Sequence, residues 1–120
     1  MSGPTRRGGS ARFPLGAVLL VLAFGCAATG SAAMRPAPRT HSIAIQGFVF
    51  RPDSVVAAVG DTLEWVNADA FDHSAVAMGK QFDSGVLVRG AKAVFVPSDT
   101  GSYPYRCNLH PTMAGTIIVR

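Results

Sequence analysis

The sequence predicts an all-β domain of seven or eight short strands, folded as a sandwich or barrel. Three observations carry this. Short runs rich in Val, Ile, Phe and Thr recur from His41 onward, Gly, Pro, Asp and Asn separate them, and no run is both long and periodic enough for a helix. With 13 Gly and 8 Pro in 120 residues turns must be frequent, while a hydrophobic content of 48% excludes a disordered chain. The length allows one domain.

Taken in order, Ile43, Ile45 and Phe48 begin an alternating pattern, and Val55 and Val56 follow Pro52. Gly60-Asp61 is a turn signal ahead of Thr62-Leu63-Glu64-Trp65-Val66-Asn67. Further strands are expected over 74–78, 86–88, 92–96, 102–107 and 116–119. Trp65 and Phe82 read as core, Met78 as core or rim, and His41 as a solvated residue. Tyr103 and Tyr105 flank Pro104, so they share one strand face and pack. No internal repeat is present.

The formal charge of +4 invites a nucleic-acid reading until its placement is considered. Arg6, Arg7 and Arg12 lie in the first twelve positions, and no acidic residue precedes Asp53. Without residues 1–33 the chain holds eight basic against seven acidic residues, a net of +1, so no nucleic-acid partner is expected.

Residues 1–33 have the parts of an export signal: a basic start, an apolar stretch over 15–25, and the small residues Ser31, Ala32 and Ala33. The expected destination is periplasmic or otherwise extracytoplasmic, and three N-termini compete. Cleavage after Ala33 or Ala28 releases a soluble protein. Cys26, directly after Gly25, resembles a lipoprotein acylation site that would tether the protein to a membrane. The uncharged stretch 13–34 is long enough to span a bilayer if left uncleaved. Arg6-Arg7 is a fragment of a twin-arginine signal, but Gly8 and Gly9 stand where a hydrophobic continuation belongs. Residues 34–40 read as an extended linker and 41–120 as the domain.

Of the two cysteines, Cys26 belongs to the export segment, which leaves Cys107 alone in the domain with no internal disulfide available. It stands in Tyr103-Pro104-Tyr105-Arg106-Cys107-Asn108-Leu109-His110-Pro111-Thr112-Met113, a C-x-x-H-x-x-M spacing. A turn with three-residue steps can gather three side chains about one point. Thiolate, imidazole and thioether together suit copper far better than Mg²⁺ or Ca²⁺. His73, following the strand that ends at Asn67, supplies the second histidine of a His₂Cys plane with a weak axial Met113. That is the ligand set of a type 1 (blue) copper electron-transfer site.

With these residues in view, positions 41–120 resemble the cupredoxin family, in particular its amicyanin, plastocyanin and pseudoazurin group. Phe50-Arg51-Pro52, the stretch from Val59 to Asn67, Phe82-Asp83-Ser84-Gly85 and the stretch from Gly101 to Cys107 each match the family pattern. The resemblance implies a Greek-key β-sandwich, a metal site of His73, Cys107, His110 and Met113, and one copper ion. It further implies that Asn67 braces the loop bearing His73, and that the Ser74 amide reaches the Cys107 sulfur. An apolar face around His110, including Leu109 and Pro111, would dock redox protein partners transiently, and the carrier would act as a monomer. Asp72 stands where the family usually has Pro, Ser74 where it has Asn, and Leu109 where the amicyanin group places a Pro before its loop His, which bears on the tuning of the site.

Taken singly, a Cys or a Met in a β-domain is most often core filling. The joint spacing with two histidines reverses that balance. A Cys/His nucleophile leaves Met113 unexplained, a structural zinc site rarely uses Met, and a copper enzyme with a second metal needs more histidines than His41 supplies. An electron carrier that is not itself a catalyst is the expectation, with a copper carrier, storage or assembly module as the alternative.

Overall fold

The computed structural model describes residues 35–120 together with Gly3, Gly8, Gly9, Gly16, Gly25 and Gly30. The chain divides into two units, Met1–Ala33 and Met34–Arg120. The expected export segment 1–33, with Cys26 and the cleavage positions Ala28 and Ala33, lies outside the described residues apart from its glycines.

Among the described residues there are eight strands: β1 (Thr40–Ile45), β2 (Phe50–Arg51), β3 (Ser54–Ala57), β4 (Thr62–Asn67), β5 (Val76–Ala77), β6 (Lys92–Phe95), β7 (Gly101–Arg106) and β8 (Ala114–Val119). They form two four-stranded sheets, ordered β2-β1-β4-β6 and β3-β8-β7-β5. The all-β sandwich expected from the sequence is the fold observed. Two pairs are parallel, β1 with β4 and β3 with β8, while the remaining neighbours are antiparallel.

Period-two alternation decides which side chains enter the core. In β4, Leu63, Trp65 and Asn67 are buried; in β8, Gly115, Ile117 and Val119 are. Along β7 the inward parity runs Tyr103, Tyr105 and then Cys107, so the strand that builds the core also delivers the thiol. The parallel register sets Ile43 beside Trp65 and Ile45 beside Asn67. Trp65 meets Tyr105 nearly edge to face, with centroids 5.4 Å apart, and Phe50 meets Tyr105 at 4.7 Å. Such geometry adds about 0.5–1.5 kcal/mol per pair beyond area burial. Gly115 lies under the Tyr105 ring, where a Cβ would overlap it.

Several elements are shorter than the pattern suggests. Of 74–78, only Val76–Ala77 is strand. Residues 86–88 make one bridge, His73 with Leu87, because the turns at Gly85 and Gly90, both at positive φ, end the segment on either side. Leu87 nevertheless points inward and Val86 and Val88 outward, as alternation requires. Phe48 is not a strand residue: β1 ends at Ile45, and both Gly47 (φ 65°) and Phe48 (φ 59°) take left-handed backbone.

The domain also begins earlier than position 41. Thr40 is already in β1, Arg39 N–H donates to Asp61 Oδ1 at 2.9 Å, and Thr62 N–H donates to the Arg39 carbonyl at 2.8 Å. His41 is half-buried and pairs through Nε2 with Asp61 Oδ2 at 2.8 Å, which corrects its reading as a solvated residue. The Arg39 amide first, then the Ala58 amide and the His41 ring, hold the Asp61 carboxyl down at about 2. Met78 is an exposed rim residue.

Candidate metal centre

The site lies at one end of the sandwich, where the 67–75 connection meets the 107–113 loop. Buried His73 is fixed at its backbone by two hydrogen bonds with Leu87, its N–H to the Leu87 carbonyl at 3.1 Å and the Leu87 N–H to its own carbonyl at 2.7 Å. Asn67, fully buried at the end of β4, closes the connection. Its Nδ2 donates to the carbonyls of Phe71 (2.8 Å) and Leu87 (2.7 Å), and its Oδ1 accepts from the Asp69 amide (2.9 Å). The bracing implied for Asn67 is present.

The 107–113 loop joins β7 to β8 and is tied by Cys107 N–H to the Met113 carbonyl (3.0 Å) and Met113 N–H to the His110 carbonyl (2.9 Å). Ser74 staples the two segments together. Its amide donates to Cys107 Sγ at 3.3 Å, and its Oγ accepts from the Asn108 amide at 2.9 Å.

These constraints bring three sequence-predicted residues together. The two imidazole Nδ1 atoms of His73 and His110 are 3.1 Å apart, and they lie 4.0 Å and 3.8 Å from Cys107 Sγ. His73 and Cys107 are buried and His110 is half-buried. Met113 is buried in the same loop. The donor triangle fits a transition-metal ion. Metal–nitrogen distances of about 2.0–2.1 Å and a metal–sulfur distance of about 2.3 Å let one ion serve donors up to about 4 Å apart. A soft sulfur with two imidazoles selects against hard cations.

Two contributors were missed by sequence reasoning. The Asp69 carboxylate accepts from His73 Nε2 through Oδ2 at 2.8 Å. The Gly47 amide above all, with the Phe48 amide and the His73 ring, holds its carboxyl below the usual range. Phe48 stands edge-on to both imidazoles, with centroids 5.2 Å from His73 and 4.9 Å from His110. The available signal for Asp69 was its place four residues before His73. For Phe48 there was only the neighbouring Gly47.

No known family model matches the chain. It is 32% identical over 66 residues to an amicyanin of Paracoccus denitrificans, covering 51% of this chain and 50% of that protein. The chain thus spans half the length of the curated relative it matches. Among solved structures it is similar to a copper-containing nitrite reductase from Thermus scotoductus, with 31% identity, a TM-score of 0.63, and coverage of 72% of this chain and 23% of that one. It is also similar to a purple cupredoxin from Nitrosopumilus maritimus, with 27% identity, a TM-score of 0.61, and coverage of 66% and 98%. The fold is therefore of the cupredoxin type, and it carries a His73, Cys107 and His110 cluster able to hold a metal ion.

Proposed function

We propose that this chain is an exported blue copper protein that passes single electrons between protein partners, with copper held by His73, Cys107 and His110 and with Met113 as a weaker fourth donor. The observation that carries the reading is the triangle of one sulfur and two Nδ1 atoms, with edges of 3.1, 3.8 and 4.0 Å. Copper bound there supplies a reversible one-electron Cu(I)/Cu(II) couple. The protein's part is to gather the donors at one point and to leave water little access. Ser74 N–H withdraws electron density from the Cys107 sulfur, and the buried Tyr105, Phe50 and Trp65 make the surroundings apolar.

His110 is the natural point of electron entry, since its half-buried ring is the part of the triangle nearest solvent. Exposed Phe71 (59%), Leu109 (48%) and Phe48 (40%) surround it, with exposed Pro111 beside them. A shallow cleft of Ala70, Phe71, Asp72, Leu109 and His110 opens there. A small, largely apolar face suits brief contact with fast release. A carrier rather than a catalyst is favoured by ligand count, since beyond His73 and His110 the sequence has one further histidine, His41, too few for a second copper centre.

Reconstitution with Cu(II) and a visible spectrum test the reading. An intense thiolate charge-transfer band is expected, and its absence would end the blue-copper assignment. Rapid electron exchange with a cytochrome or dehydrogenase supports the carrier; transfer of the metal to an apo-protein instead supports a delivery module. Mass spectrometry of the mature N-terminus tests export, with acylation at Cys26 and cleavage after Ala28 or Ala33 giving different masses.

A further inference from the structure

Asp69 touches no member of the donor triangle except His73, and only on the ring edge facing away from the other two donors. Three hydrogen-bond donors converge on its carboxylate: Gly47 N–H on Oδ1 at 2.8 Å, Phe48 N–H on Oδ2 at 3.1 Å, and His73 Nε2 on Oδ2 at 2.8 Å. A carboxylate accepts and does not donate, so the proton resides on His73 Nε2. With Nε2 carrying that proton, Nδ1 is the ring nitrogen left to face Cys107 and His110. Successive amides of a tight turn can converge on one anion, and the amides of Gly47 and Phe48, both in left-handed backbone, meet Asp69 in this way. For a ring as bulky as Phe48 that backbone is costly, and it persists only where its surroundings hold it.

We propose that Asp69 is a positioning residue that fixes the tautomer and orientation of His73 and, through the same carboxylate, clamps the 46–49 turn so that Phe48 shields both imidazoles. The inference rests on the ligand assignment above. One side chain thereby sets two properties of the site. The hydrogen bond makes His73 a more basic ligand, and the clamped turn keeps an aromatic edge over the rings at the solvent side.

Nitrogen NMR on the metal-free protein tests the clamp without any metal. In the wild type, His73 is expected to show an exchange-protected Nε2–H and an unprotonated Nδ1. Asp69→Ala should lose that protection, mix the two tautomers, and speed amide exchange at Gly47 and Phe48 while the β7 and β8 amides stay protected. Its Cu(I) affinity, by competition with a chromophoric chelator, should fall about 10–100-fold. Asp69→Asn retains an acceptor oxygen without the charge, so it should restore the tautomer while the copper reduction potential rises above the wild-type value.

A wild-type protein without a protected His73 Nε2–H would overturn the clamp, whether or not the variants fold. So would a folded Asp69→Ala protein with unchanged tautomer and turn protection. Wild-type protein with the NMR signature but no charge-transfer band would count for the clamp and against the ligand assignment.

Discussion

The backbone amide of Ser74 points at the sulfur of Cys107 from 3.3 Å, across a gap of 33 residues in sequence. That contact and the Ser74 Oγ bond to Asn108 N–H join the two loops that supply the donors. Ser74→Ala keeps the amide but leaves Asn108 N–H without its partner, and should cost about 1–2 kcal/mol. Denaturant unfolding of the metal-free protein checks this, and the same variant should show a small shift of the charge-transfer band as the loop relaxes.

The proposed donors separate by role. Cys107→Ser should abolish the blue colour, because the band requires a thiolate. Met113→Gln should keep the colour and lower the reduction potential, since a harder axial oxygen favours the oxidised ion. Visible spectroscopy and voltammetry of the two variants read these outcomes, and a Cys107→Ser protein that stays blue would refute the assignment.

Asn67 holds the His73 connection by two donated bonds and one accepted bond, all from a fully buried amide. Asn67→Ala leaves the Phe71 carbonyl and the Asp69 amide without a partner and removes one of the two donors on the Leu87 carbonyl, which keeps the His73 N–H. At about 1–3 kcal/mol for each unsatisfied buried group, it should be among the most destabilising single changes in the domain, seen as a large fall in the urea midpoint and weaker copper retention.

Gly115 is required by Tyr105 rather than by its backbone. A methyl at Gly115 would displace a ring that packs on Phe50 and Trp65 and sits two residues from Cys107. Gly115→Ala should lower stability by about 1–3 kcal/mol, the usual range for overpacking. Burial pushes the Tyr105 hydroxyl up to about 12; if the ring is forced out of its place, its ultraviolet titration should move toward the ordinary value near 10.

Part of the acid sensitivity should lie at Asp61, just ahead of β4. Its carboxyl titrates at about 2 in the folded protein, below the ordinary value near 3.9 of an unfolded chain. The contribution is therefore complete above about pH 4 and is lost as the pH falls toward about 2. Asp61→Asn should flatten this part of the stability profile between about pH 4 and 2, with unfolding midpoints at several pH values as the measurement.

The sequence was most informative where local pattern and tertiary burial agree. Thr62–Asn67 alternates so regularly that both ends of the strand are legible, and the C-x-x-H spacing points to Cys107 and His110, two members of the observed cluster. His73 was found because Asn67 marked the strand end before it. Phe48 escaped because an apolar residue after Ile43 and Ile45 looks like more strand. Its left-handed backbone is stabilised by Asp69, 21 residues away, and nothing local in sequence records that partner. His41 escaped for the same reason, its partner Asp61 lying 20 residues on. Long-range polar pairs leave no periodicity behind.

Cys107, His110 and Met113 fall within one short loop, and only His73 comes from elsewhere in the chain. Unfolding therefore does not scatter three of the four proposed donors, because a denatured chain keeps a thiol, an imidazole and a thioether within seven residues of one another. Ligand linkage depends on the difference in affinity between folded and unfolded forms. The metal should then raise the melting temperature by less than its native affinity alone would give, because the unfolded chain retains part of the binding set.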